Sequence, residues 1–245
     1  MPFEMRQIAG LNCLQFDELP KGESPEIVTV ICHGFGASGD DLAGLGPEML
    51  HRQPQLASKI RFLFPEAPLS LDSAGIPGGR AWWHLDMEKL NAAIATGQIR
   101  DLRNDYPDEL PAARKMLMNL IQDIQTETGL PTDHFILTGF SQGAMLSTDV
   151  TLRLPEPPGL LGILSGTLIC EEEWRELASQ RGRIPVFQSH GDQDPILPFC
   201  AAEWLRDMLI DAGLDVEFMP FSGMHTIPVA VIDRLAARLT EFDCD

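Results

Sequence analysis

Six short runs of this chain are rich in apolar residues at successive positions: Ile27–Cys32 (IVTVIC), Ile60–Phe64 (IRFLF), Phe135–Gly139 (FILTG), Leu160–Ser165 (LLGILS), Val186–Ser189 (VFQS) and Val216–Met219 (VEFM). Runs of this kind suit strands covered on both faces. Segments with helical periodicity lie between them. Glu109–Thr126 carries Leu110, Ala113, Leu117, Leu120, Ile121 and Ile124, a stripe at 3.6-residue spacing. Gln142–Leu152, Glu171–Gln180, Ala201–Ala212 and Val229–Phe242 follow the same logic, and Gly129 and Gly213 stand where helix stops are expected. Strand and helix in alternation predict an α/β domain with a mostly parallel sheet and helices on both faces. Met5–Gly10 and Leu11–Phe16 fit an antiparallel edge. Pro65–Pro111 breaks the rhythm with prolines, glycines, the pair Trp82-Trp83 and a charged stretch. A connection of that length is usually functional.

The 245 residues suit one domain, spanning 1–245, that can bury a core without disulfides or metals. A net charge of −18 repels phosphate backbones and anionic lipid, so nucleic-acid partners are not expected. The simplest use of that charge is solubility, and composition gives no ground for steering a cationic substrate. Cys13, Cys32, Cys170, Cys200 and Cys244 are odd in number and lack C-x-x-C spacing, so they read as reduced thiols rather than a zinc site or a disulfide framework. No basic-then-apolar leader opens the chain, and no stretch approaches the roughly 18 apolar residues of a membrane span. The expected compartment is the cytoplasm, without stable membrane insertion. A homodimer is compatible with the sequence but not encoded in it.

Residues 138–146 read T-G-F-S-Q-G-A-M-L. A chain of this length meets G-x-S-x-G by chance about once in ten. Here the motif follows a predicted strand and opens a predicted helix. That is the setting of a nucleophile elbow, in which Ser141 occupies a strained turn and its hydroxyl stands clear of the sheet. Gly139 and Gly143 would then permit close packing, and the unpaired N–H of Gln142 would point at a developing oxyanion. The plain alternative is that Ser141 is a helix N-cap. A serine hydroxyl needs a base, and the base needs an orienting carboxylate. On an α/β-hydrolase sheet the acid and then the histidine follow the serine. Of His190 and His225, only His225 leaves room for an acid before it. Asp192 and Asp194, just past the strand Val186–Ser189, are the acid candidates; the alternative for Asp194 is to cap the helix that follows Pro195, with Asp192 then the acid. Upstream, the strand Ile27–Cys32 ends in H-G-F-G-A-S (33–38), a turn able to offer the backbone N–H of Phe35 as a second oxyanion donor. His33 and His190 read as structural, Met145 and Leu146 as core, and Trp82 and Trp83 as one buried and one facing a pocket.

H-G-F-G (33–36), R-A-W-W (80–83), G-F-S-Q-G-A (139–144), H-G-D-Q-D-P-I-L-P (190–198) and G-M-H (223–225) run in this order along nearly the whole chain. In this the sequence resembles the α/β-hydrolase superfamily, and within it the phospholipase/carboxylesterase family that includes the acyl-protein thioesterases. The resemblance implies Ser141 as nucleophile, Asp194 as acid in preference to Asp192, and His225 as base. It implies oxyanion N–H groups at Phe35 and Gln142, an aromatic wall from Trp82 or Trp83, and neither metal nor organic cofactor. The expected function is a serine carboxylesterase acting on small or medium acyl esters. A thioesterase or lysophospholipase for longer chains is the second reading, and an inactive ligand-binding relative the third. Compact family members have a shorter connection after R-A-W-W. The extra residues, within 65–111, resemble a cap over the site and leave acyl preference open.

Overall fold

The computed structural model describes residues 3–96 and 98–241; Cys244 and the expected helix end at Phe242 lie outside them. The chain opens with β1 (Phe3–Ile8), β2 (Leu11–Asp17), β3 (Ile27–Cys32), α1 (Leu45–Arg52) and β4 (Ile60–Pro65). A short strand pair, β5 (Leu69–Ser70) and β6 (Arg80–Ala81), precedes α2 (Met87–Thr96) and α3 (Leu110–Thr128). Then β7 (Phe135–Phe140), α4 (Gln142–Thr151), β8 (Leu160–Leu164), α5 (Glu171–Ser179), β9 (Pro185–Gly191), α6 (Phe199–Asp211), β10 (Asp215–Phe221) and α7 (Val229–Thr240) alternate to the end.

Eight strands form one sheet in the order β1-β2-β4-β3-β7-β8-β9-β10. β1 and β2 run antiparallel at one edge, and β3, β4 and β7 to β10 are parallel. All six expected main strands and the antiparallel edge are present. Every residue of β3 is buried, and its side chains divide between two cores. Val28, Val30 and Cys32 pack into the layer with α3 and α4, while Ile27 and Ile31 pack with Met49 of α1 and Leu235 of α7. Two-sided burial is why these strands read as continuous apolar runs.

Two helices were not foreseen. The eight-residue α1 contains Gly46 and Pro47, which blur its periodicity. Gly46 is required by packing, since a Cβ there would sit 2.7 Å from the Phe16 ring. α2, within the long connection, buries Leu90 and Ala93 and offers too short a stripe to be recognised. α3 ends as expected at Gly129, whose φ of 75° is left-handed and whose N–H donates to Gln125 O at 2.8 Å.

β3 is followed in sequence by β4 on one side, and the chain then crosses to β7 on the other. The carboxyl ends of β3 and β7 therefore flank a switch point, where ligand sites form in such sheets. Both glycine-rich motifs lie there. A Cβ on Gly143 would stand 2.1 Å from Cys32 O, and one on Gly139 would stand 2.3 Å from Gly143 C. A Cβ on Gly182 would meet nothing within 4 Å. We expect Gly143→Ala to cost about 3 kcal/mol or more in urea unfolding, because backbone must move to admit the methyl group. Gly182→Ala should stay within about 0.5 kcal/mol of the unaltered protein.

Candidate functional site

The elbow is built as its glycines require. Ser141 has φ 54° and ψ −117°, a region that residues with a Cβ seldom occupy. Its N–H donates to Leu164 O at 2.9 Å, which fastens the turn to β8. Ser141 sits at the N-cap position of α4, yet its side chain makes no capping hydrogen bond. The hydroxyl is therefore not spent on the helix, which separates this serine from an ordinary cap. The Gln142 N–H, the first of α4, donates to no acceptor among the described residues.

The H-G-F-G turn passes directly against this serine, and a Cβ on Gly34 would lie 3.4 Å from Ser141 Cβ. His33 fixes the turn. Its Nε2 accepts the Ala67 N–H at 3.0 Å, so Nδ1 carries the proton and donates to Gly34 O at 2.8 Å. Burial lowers the His33 pKa and keeps the ring neutral for that double role. Gly36 N–H donates to Arg80 O and Arg80 N–H to Ala37 O, tying the turn to β6. The N–H of Phe35 donates to nothing among the described residues.

R-A-W-W joins the turn to the elbow. Arg80 pairs with Glu66 at 2.5 Å. Trp82 is fully buried and donates Nε1–H to His33 O at 2.9 Å. It faces the core and does not line the cavity described below; Trp83 does. The Gln142 side chain, 1% exposed, accepts the Trp82 N–H at 2.9 Å and donates to Trp83 O at 2.8 Å. Sequence reasoning valued only the backbone of Gln142. In the structure its amide stands in for a neighbouring strand and holds the tryptophan pair in place.

The carboxylate and imidazole come from the loops that follow β9 and β10. Asp194 has its side chain fully buried and uses both oxygens. Oδ1 accepts the Ile196 and Leu197 N–H groups at 2.8 and 2.9 Å, and Oδ2 accepts His225 Nδ1–H at 2.6 Å. Asp194 is thus the histidine partner and holds the turn at Ile196–Leu197, but it does not cap the following helix: α6 begins at Phe199 and its N-cap position, Pro198, has no side-chain capping bond. Asp192 is exposed and instead accepts the Gly223 N–H at 3.1 Å. Fully buried His190 places Nε2 2.8 Å from Leu197 O and 3.3 Å from Asp194 Oδ2. Burial alone would raise the Asp194 pKa. Hydrogen bonds from His190, His225 and Leu197 N–H outweigh it and hold the carboxyl well below its ordinary range. An ionised Asp194 only accepts, so His225 carries its proton on Nδ1 and leaves Nε2 as the free nitrogen.

The His225 ring packs 4.7 Å from that of Phe140, the residue before Ser141. Its loop lies flat on Gly191, where a Cβ would stand 2.4 Å from Gly223 O and Met224 O. Buried Ser165, at the end of β8, donates Oγ–H to Thr226 O at 3.4 Å. Ser141 makes no hydrogen bond to His225 here; such contacts are often long without substrate and tighten on binding. Burial pushes the thiols of Cys13, Cys32 and Cys170 up to about 12, which makes them poor nucleophiles.

Ser141, Gln142, Trp83, Met145, Ile169 and Leu197 floor a cavity of about 930 Å³. Its remaining walls come largely from residues 84–109, including α2. Met145 is buried in the core, as expected, and also lines this space. Among the described residues no three His, Cys, Asp or Glu side chains are grouped to hold a metal ion, and no helix is long and apolar enough to cross a membrane.

A family model described as Phospholipase/Carboxylesterase matches residues 18–240. The acyl-protein thioesterase 1 of Kluyveromyces lactis is 32% identical over 182 residues, covering 73% of this chain and 74% of its own. That of Neurospora crassa is 26% identical, covering 86% and 85%. The crystal structure of esterase PE8 superposes with a TM-score of 0.76 at 30% identity, covering 94% of this chain and 98% of that one. A carboxylesterase from Mesorhizobium loti shares the fold with a TM-score of 0.71 at 15% identity, covering 98% of both chains.

Gln142→Ala would strand the Trp82 N–H and the Trp83 carbonyl. We expect it to destabilise the protein by about 2 to 4 kcal/mol in urea unfolding. Asp194 resists protonation in the fold, so its stabilisation is present at neutral pH and fades as pH falls below about 5. The unfolding free energy of Asp194→Asn should fall less steeply from pH 5 to pH 3 than that of the unaltered protein. Equal slopes would refute the assignment.

Proposed function

The chain belongs to the phospholipase/carboxylesterase family and is a carboxylic-ester hydrolase with an α/β-hydrolase fold; on that premise we propose that Ser141, His225 and Asp194 form its catalytic triad. The observation that carries the proposal is the 2.6 Å contact between Asp194 and His225 Nδ1, which leaves Nε2 unspent on a ring packed 4.7 Å from that of Phe140, the residue before an uncapped, strained serine. Ser141 Oγ attacks the acyl carbon and passes its proton to His225 Nε2. The oxyanion is held by the free N–H groups of Gln142 and Phe35. His225 returns the proton to the leaving oxygen or sulfur as its bond to carbon breaks. Water, deprotonated by the same nitrogen, then releases the acid from the acyl-enzyme. The unspent N–H groups carry much of the effect, since losing one oxyanion donor costs about 3 kcal/mol of transition-state stabilisation.

We take small or medium acyl esters as the substrate class. The cavity has polar and charged side chains along its insert wall, including Asp86, Arg100 and Asp105, which do not favour a long alkyl chain. Residues 84–109 act as a cap on this reading. The thioesterase relatives favour a second reading, acyl thioesters, because the same triad expels a thiolate as readily as an alkoxide.

A fluorophosphonate should label Ser141 in the folded protein and fail on Ser141→Ala. Asp194→Asn should lower kcat for p-nitrophenyl butyrate by about 10³- to 10⁴-fold. A p-nitrophenyl ester and thioester series from two to sixteen carbons should peak at eight carbons or fewer. An optimum at twelve or more would replace the small-ester reading with the thioesterase one.

A further inference from the structure

Two concave spaces flank the step from Phe140 to Ser141. The cavity under residues 84–109 is lined by Ser141 and Gln142 but not by His225. On the other side a groove of about 460 Å³ is lined by His225, Thr226 and Phe140 but not by Ser141. Its apolar floor is Leu42, Leu45, Phe140, Ile227 and Ile232. The mechanism proposed above sorts these spaces. In the tetrahedral intermediate on Ser141 the oxyanion faces Gln142 N–H, and the departing atom must face the nitrogen that protonates it. The leaving group therefore extends on the His225 side, and the acyl group takes the cavity on the Gln142 side.

The charged side chains lining the groove are Asp41 and Glu48, and no cation lines it. Glu48 is paired with Arg52, but that guanidinium is shared with Asp233 of α7. Asp41 is exposed and its carboxylate makes no ion pair among the described residues. Glu48 and Asp233 thus share one guanidinium, and Asp41 stands unpaired beside the apolar floor. We propose that this groove is the leaving-group subsite and that it selects alcohols or thiols carrying a positive charge on a short apolar stem. The apolar floor takes the stem, and Asp41, with the half-compensated Glu48, takes the charge. The net charge of the chain could not show this, because it does not say where the uncompensated carboxylates lie. An anionic leaving group is disfavoured by the same field. The proposal rests on the triad reading.

The test compares butyrylcholine with its uncharged isostere, 3,3-dimethylbutyl butyrate, so that acyl group and leaving-group shape are shared. The readout is the ratio of their kcat/KM values, which cancels losses of folded protein. In the double variant Asp41→Asn, Glu48→Gln the ratio should fall roughly 5- to 10-fold, as for one or two charges at a partly exposed site. In the unaltered protein it should fall toward the variant's value as salt rises from 20 mM to 500 mM. Asp133→Asn, an exposed carboxylate at the opposite end of the sheet, should leave it unchanged. A ratio that is the same in the unaltered protein and the double variant overturns the groove assignment while leaving the triad standing. Failure to hydrolyse the neutral ester, together with no fluorophosphonate labelling of Ser141, overturns the triad and the groove with it.

Discussion

The structure depends on a contact that admits no side chain. The first turn of α4 meets the end of β3 so closely that a Cβ on Gly143 would lie 2.1 Å from Cys32 O. β7 must therefore turn into α4 within one residue, and Ser141 takes the strain of that turn with a positive φ. Everything else at the site is arranged around this point. The H-G-F-G turn grows from the same end of β3, so the closeness of β3 and α4 also brings Gly34 beside the serine.

A turn under strain must be held from several directions. β8 does so through Leu164 O, and R-A-W-W does so through the Gln142 amide. Farther along α4, fully buried Asp149 accepts from Trp174 Nε1 at 2.9 Å and pairs with Arg114 and Arg153, locking α4 to α3 and α5. A buried carboxylate with three donors is costly to disturb, because removing a donor leaves an uncompensated charge. The elbow helix is thus anchored at both ends by polar contacts inside an apolar layer. Such fixed dipoles need no rearrangement when charge develops on a bound acyl group.

The two cores divide the labour. α3 and α4 pack on one face of the sheet, α1 and α7 on the other, and the carboxyl ends of the strands stay free for loops. Residues 84–109 cover one side of the serine, while the α1 and α7 side of His225 is left as an open groove. The roofed cavity and the open groove are lined by successive residues, Ser141 in the one and Phe140 in the other.

The sequence by itself determined the order of strands and helices, the place of the elbow and the need for glycine at 139 and 143. Each of these is local: apolar periodicity and turn sterics act over a few residues. It narrowed the acid to two aspartates and the tryptophans to one buried and one lining. Between those aspartates the family resemblance favoured Asp194, and the tertiary structure pairs it with His225; only the tertiary structure placed Trp83 rather than Trp82 at the cavity. It also gave the Gln142 side chain a task and formed α2 from a stretch that reads as loop. These choices rest on partners about 30 to 60 residues apart whose meeting depends on strand register and layer packing. A side chain that pairs with distant backbone leaves no periodic trace in the sequence, because its hydrogen-bond partner is a peptide group that every residue carries.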